Sequence, residues 1–334
     1  MRKFLRRRSF ASRSTVALLA TVAYALAPLS AAFAQPALRT VSIAQFVEHP
    51  ELDNIRRGVM DALVKSGFDS THARVVFESA QGDYATGVQI AQKFAGMKSD
   101  VIVTIGSPMG QAAVRSGVGV PIVFCGVADP LGAGLVTNAA HPGGRVTGVR
   151  SFTPIEPQLD LIHKITPQVH RIGILANPAE NNSHSVVLAI QNIGAKRGYS
   201  FVVQDVMSSS EISSAAANLV GKVDAFYVPT DNTVVSGIDA VIKVARANKI
   251  PLFTGETSSV RRGGFASAGL DWYQTGVDAG GLVARILRGE KPGEIPVLNQ
   301  TGGVNTVVNS RTASEIGIAL PVDLAAKGAH LVSQ

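Results

Sequence analysis

The chain has one cysteine, one tryptophan and few aromatic residues of any kind, 6% of its 334 positions. A single Cys125 cannot form an internal disulfide, so no cystine framework holds this fold. It lies inside the strand-like run Pro121–Gly126, which reads as a buried, inert thiol. The 7 His residues are scattered, and none forms H-x-x-x-H or H-E-x-x-H. A His-based metal site is therefore not expected, nor is a cofactor. There is no G-x-S-x-G elbow and no GxxxxGK[ST] run, which removes the signatures of a serine hydrolase and of a P-loop nucleotide enzyme. Few aromatics also disfavour a sugar site, where rings commonly stack on aromatic side chains.

Acidic residues are missing from the first 34 positions, which hold Arg2, Lys3, Arg6, Arg7, Arg8 and Arg13. Six of the seven net positive charges reside there: beyond it, 25 basic residues face 24 acidic ones. A near-neutral body carries no electrostatic footprint for nucleic acid. The basic start, the apolar run from Val16 to Leu29 and Ala32-Phe33-Ala34 form the pattern of a signal peptide over residues 1–34. Arg7-Arg8-Ser9-Phe10 is a partial twin-arginine pattern, so the export route stays open between two systems. The apolar run is shorter than the ~20 residues of a spanning helix, and no Cys stands near the cleavage point to carry a lipid. The expectation is a periplasmic protein, exported, not lipid-anchored and monomeric.

The remainder alternates β-branched runs with helical spacing. Val41–Val47, Arg74–Phe77, Asp100–Ile105, Pro121–Phe124 and Val146–Val149 read as strands. Helices read between them at Leu52–Ser66, Tyr84–Met97 and Met109–Arg115. The grammar then repeats. Strands read at Arg171–Leu175, Ser200–Val203, Val223–Val228, Pro251–Phe253 and Phe265–Leu270. Helices read at Gln158–Ile165, Ser185–Arg197, Glu211–Val220, Val234–Asn248 and Trp272–Leu287. Strand–helix alternation of this length means βαβ units and parallel sheets. The fold class is α/β: two Rossmann-like parallel-sheet lobes with a hinge and an interlobe cleft.

Ligands of open parallel sheets bind at the carboxyl ends of strands, and eight polar loops fall there. Gln45, Phe46, Ser107 and Asp129 are the candidate wall residues of the first half. Asn182, Ser183, Asp231, Asn232 and Glu256 are those of the second, with Asp271 at the hinge. Ser107, Asp129, Asp231 and Thr257 also suit helix N-caps. An acid such as Asp231 or Glu256 suits a ligand ammonium, and a helix start at Ser107-Pro108 suits a carboxylate. That pairing is what an amino acid requires. Asp231 is the chosen ammonium partner, with the expectation that Asp231→Ala abolishes binding and leaves the fold intact.

Ile43–Pro50, Ala80–Asp83, Gln89–Phe94, Pro121–Phe124, Asp129-Pro130, Gly143-Gly144, Val146–Gly148, Arg171–Ile174, Val228–Thr233 and Leu320-Pro321 together resemble the ABC-transporter substrate-binding family. Its members include tryptophan- and phenylalanine-binding proteins. The resemblance implies a type I periplasmic-binding fold, three crossovers, no enzymatic activity, and delivery of a captured solute to an inner-membrane ABC permease. The crossovers are expected near Val149–Thr153, Gly269–Asp271 and Pro292–Pro296. Residues 40–151 with 270–291 would form the first lobe, and 152–269 with 292–325 the second. The solute is expected to be an amino acid, aromatic or branched, against walls drawn from Phe46, Met109 and Trp272 or Tyr273. Ser107-Pro108-Met109 and Cys125-Gly126 depart from the family's common residues at the cleft, so the solute's identity is not fixed. A ligand sensor for a membrane receptor and a sugar or nucleoside binder are the alternatives, and an exported enzyme using Glu256 or Asp231 as its acid is a third.

Overall fold

A computed structural model of the chain describes residues 38–326 and 328–333. The signal peptide expected over residues 1–34 lies outside them. The first sheet is built from β1 (Arg39–Gln45), β2 (Ala73–Ser79), β3 (Val101–Ile105), β4 (Ile122–Val127), β5 (Val146–Arg150) and the two-residue β11 (Leu298–Asn299). Its order is β11-β5-β4-β3-β1-β2, and every neighbouring pair is parallel. All five residues of β3, Val-Ile-Val-Thr-Ile, are buried, because helices cover both faces of the sheet.

The second sheet contains β6 (Arg171–Ala176), β7 (Ser200–Asp205), β8 (Ala225–Val228), β9 (Leu252–Thr254), β10 (Ala266–Leu270), β12 (Val304–Asn309) and β13 (Ala329–Val332). The order is β13-β12-β10-β9-β8-β6-β7. β12 returns antiparallel to β10, and the other pairs run parallel. The short β13 carries too little periodicity to be read from sequence.

The helices are α1 (Pro50–Lys65), α2 (Tyr84–Gly96), α3 (Ser107–Arg115), α4 (Ile155–Ile165), α5 (Asn181–Ala195), α6 (Ile212–Leu219), α7 (Asn232–Ser236), α8 (Ile238–Ala247), α9 (Ser258–Arg262), α10 (Trp272–Leu287) and α11 (Ser310–Ile316). Two differences from the sequence expectation matter. The helix expected over 234–248 is two helices, broken at Gly237, and Thr257, expected as a helix cap, precedes α9 without a side-chain cap bond.

The chain crosses between lobes three times. After β5 it enters α4 of the second lobe, and after β10 it returns through α10. That helix buries Ala279, Leu282, Val283, Ile286 and Leu287 in the same core as Val41, Ile43 and Val103 of the first lobe. Its approach to α1 requires glycine on both sides. A Cβ on Gly276 would stand 2.0 Å from the Ile55 carbonyl oxygen, and one on Gly58 would stand 2.2 Å from that of Tyr273.

The third crossover falls later than Pro292–Pro296. Ile295 is buried in the first core, the Thr147 hydroxyl donates to its carbonyl at 2.8 Å, and β11 pairs with β5. Residues 292–299 therefore belong with the first sheet, and the chain passes over at 300–303.

Candidate functional site

The carboxyl ends of both sheets face one cleft. At its centre is a cavity of about 410 Å3, counting the space at its mouth. His49, Glu51, Leu52, Gly126 and Ala128 line it from the first lobe, and Ser151 and Trp272 line it beside the crossovers. Asn182, Thr230, Asp231, Asn232, Val235 and Glu256 complete it from the second lobe.

Of the ten candidates read from sequence, Asn182, Asp231, Asn232 and Glu256 meet in this cavity. Phe46 lines the outer mouth of the cleft with Gly82, Tyr84, Met207 and Thr233. Ser183 borders a separate groove on the second lobe with Asn177, His184 and Val187. Gln45 is buried; its side-chain amide donates to the Val47 carbonyl and to Asp53, which holds the loop before α1. Ser107 is fully buried as the first residue of α3, and the cap position belongs to Gly106 at φ 97°, a left-handed conformation suited to glycine. Asp129 closes a turn onto the Gly132 amide at 2.9 Å and accepts from Ser185 across the cleft at 3.5 Å. Asp271 caps α10 by accepting from the Gln274 amide. Met109 is buried in the first-lobe core, and the Tyr273 hydroxyl donates to Asp61 away from the cavity.

Asp231 departs from its expected role. One carboxylate oxygen accepts from the Asn177 amide at 2.6 Å, and the other caps α7 through the Val234 amide at 2.7 Å. Both oxygens are thus committed to backbone donors. Burial, and then the nearby Glu180, hold its carboxyl well above the usual range. Glu180, which was not a candidate, fastens the start of α7. It accepts from the Asn232 amide at 3.0 Å, the Thr233 amide at 2.9 Å and the Thr233 hydroxyl at 2.8 Å.

The two acids that face each other across the cleft are Glu51 and Glu256. Glu51 follows Pro50 at the first turn of α1, where helix geometry favours an acid. Its carboxylate reaches into the second lobe and accepts from the Ser258 amide at 2.9 Å and the Thr257 hydroxyl at 3.3 Å. Glu256 accepts from the Ser258 hydroxyl at 2.6 Å and the Ser259 amide at 3.1 Å. Burial, reinforced by Glu256, pushes the Glu51 carboxyl up to about 7. Burial also lowers His49, although Glu256 opposes that shift.

Several cavity-facing polar atoms are buried without a hydrogen-bond partner among the described residues. They are Glu256 Oε1, Asn182 Oδ1, His49 Nδ1 and Trp272 Nε1. An unmatched buried polar atom costs roughly 1–3 kcal/mol, so such a set marks a place built to receive complementary groups. The set contains acceptors on the second-lobe side and an obligatory donor, the indole N–H, beside the crossovers. Among the described residues, no cluster of His, Cys, Asp and Glu could hold a metal ion, and no helix is long and apolar enough to cross a membrane.

Residues 40–332 match the family model described as ABC transporter substrate binding protein. The chain is 39% identical over 260 residues to a tyrosine-binding protein of Clostridioides difficile, covering 78% of this chain and 75% of that one. A solved structure titled as an ABC domain in complex with L-Trp from Streptococcus pneumonia is 32% identical, with a TM-score of 0.85 over 88% of this chain and 100% of that one. A ligand-free, open substrate binding protein from Clostridium difficile is 34% identical, with a TM-score of 0.68 over 89% of this chain and 100% of that one. At nearly equal identity the tryptophan complex superposes better. The bonds from Glu51 to Ser258 and from Ser185 to Asp129 agree with that: the two lobes stand in a closed arrangement.

Proposed function

The chain belongs to the ABC transporter substrate binding protein family, and from that premise we propose that it captures an aromatic L-amino acid, tyrosine or tryptophan, between its lobes. On this reading it is exported to the periplasm and delivers the amino acid to an ABC permease for import. The observation that carries the amino-acid class is the set of unmatched polar atoms in the cavity. Glu256 Oε1 and Asn182 Oδ1 suit an ammonium, and the Trp272 indole N–H suits a carboxylate. Leu52, Val235 and the Trp272 ring supply apolar wall for the side chain. The relatives that bind tyrosine and tryptophan support the aromatic choice. Glu256 thus takes the role first assigned to Asp231, because one of its oxygens is free of backbone donors.

The test is calorimetric titration of the purified protein with the twenty amino acids, a sugar panel and a nucleoside panel. Saturable binding of tyrosine or tryptophan is the expected result. Binding of a sugar or nucleoside with no amino acid bound would overturn the reading.

A further inference from the structure

We propose that Glu51 and Glu256 form a charge gate, in which the lobes close fully only when one positive charge, a ligand ammonium or a proton, sits with the two carboxyl groups. The gate rests on the amino-acid reading and adds a reason for its selectivity: a solute lacking an ammonium is refused at neutral pH.

The geometry behind the gate is specific. Glu51 stands on the first lobe and Glu256 on the second, and both are almost entirely buried, at 4% and 2% exposure. Ser258 joins them, its amide donating to Glu51 and its hydroxyl to Glu256. Closure therefore brings two acids into one water-poor site, where two bare negative charges repel and lose hydration. Ser258 supplies neutral donors only. Glu256 Oε1 has no partner among the described residues, so the pair presents an open acceptor to the cavity.

The charged surroundings do not supply the missing cation. His49 faces Glu256, and its burial holds it toward the neutral form. Asp53, Glu180 and Asp231 add further acidity around the cavity. Asp271 caps α10. On α1, Arg56 pairs with Asp53 and Arg57 donates to Asn54. On α9, Arg262 pairs with Asp239, and Arg261 before it is exposed. A proton on the pair is the alternative to an ammonium, and the upward shift of Glu51 to about 7 fits that exchange.

The probes are L-tyrosine and L-tryptophan, with their deaminated counterparts 3-(4-hydroxyphenyl)propanoate and indole-3-propanoate. Both counterparts keep the ring and the carboxylate. Titrations run at pH 8 and pH 6 on the wild type, Glu51→Gln and His49→Gln, each checked for folding by thermal unfolding. In the wild type, a deaminated probe must bring a proton onto the pair, so it binds about tenfold tighter at pH 6 than at pH 8. In Glu51→Gln the pair holds one charge fewer. That variant binds the deaminated probe at pH 8 at least as tightly as the wild type does at pH 6, and without the pH trend.

Wild-type affinity for the deaminated probes that is flat with pH, while tyrosine or tryptophan binds, overturns the gate alone. So does a pH trend that survives in Glu51→Gln and disappears in His49→Gln, and so does tyrosine or tryptophan binding with no deaminated probe bound by either protein at either pH. Failure of the folded wild type to bind tyrosine or tryptophan at either pH overturns the amino-acid reading and the gate with it.

Discussion

Glu51 accepts a hydrogen bond at 2.9 Å from the backbone amide of Ser258, a residue 207 positions later and in the opposite lobe. The contact joins the first turn of α1 to the first residue of α9, so it exists only when the lobes are together. It makes Glu51 both a fastening of the closed arrangement and a wall of the cavity.

Replacing Glu51 with Ala removes the acceptor and leaves the Ser258 amide unmatched in the closed form. A buried hydrogen bond to a charged group contributes about 1.5–3 kcal/mol. Affinity for tyrosine or tryptophan should therefore fall by roughly tenfold or more, with a faster dissociation rate. Stopped-flow dissociation kinetics read both, and an unchanged rate would show that the contact does not secure closure.

The acidity of Glu51 predicts how closure responds to pH. In the separated lobes its carboxyl returns toward the ordinary value of 4.5, and in the closed form it stands at about 7. The closed form thus holds more protons between those limits. Closure without ligand is favoured at the acid end of that window and loses its advantage as pH rises through about 7. Small-angle scattering of the ligand-free protein should give a smaller radius of gyration at pH 5.5 than at pH 8. A radius independent of pH would contradict this.

Asp231 should behave as a structural residue. It caps α7 and holds the Asn177 amide, so Asp231→Ala should lower stability by about 1–3 kcal/mol, from a lost cap and an unmatched buried amide. Urea denaturation reads the change. A variant of unchanged stability that no longer binds ligand would restore the direct ammonium role.

The α1–α10 contact should tolerate no side chain. Gly276→Ala places a Cβ 2.0 Å from the Ile55 carbonyl oxygen, and overpacking of this kind costs about 1–3 kcal/mol. The loss should appear as a lower midpoint in chemical denaturation, while Gly281→Ala, whose Cβ would meet nothing within 4 Å, should leave the midpoint near the wild type. Equal midpoints for the two variants would refute the close approach.

Much of the fold was legible because its signals are local. The fully apolar Val101–Ile105 announces a doubly covered strand, and the helical spacing of 272–287 announces α10. The third crossover was misplaced because Pro292 and Pro296 resemble a linker. What binds that stretch to the first lobe is the buried Ile295, a few bonds to Thr147, Gly143 and Ala139, and a two-residue strand, too short for any period to show.

The site was legible as a set of strand-end loops and less so as chemistry. Asp231, Glu256 and Asn182 follow strand ends and line the cavity, yet which acid is free depends on where distant backbone amides point. Asp231 looked like a cap and is one. Glu51 escaped notice because its position in α1 has an ordinary local explanation, and its partners Thr257 and Ser258 lie more than 200 residues away. Trp272 reads from sequence only as a candidate apolar wall; that its indole N–H is buried without a partner among the described residues shows only in the folded cavity.

The most direct test of the central claim is calorimetric titration of L-tyrosine and L-tryptophan into the wild type and Glu256→Gln at pH 7.5. At least one of the two should bind the wild type. Loss of a buried charge partner for the ammonium costs about 2–5 kcal/mol, so Glu256→Gln should weaken it by about thirtyfold or more. Equal affinity in the two proteins, or no binding of either amino acid to the folded wild type, would contradict the account.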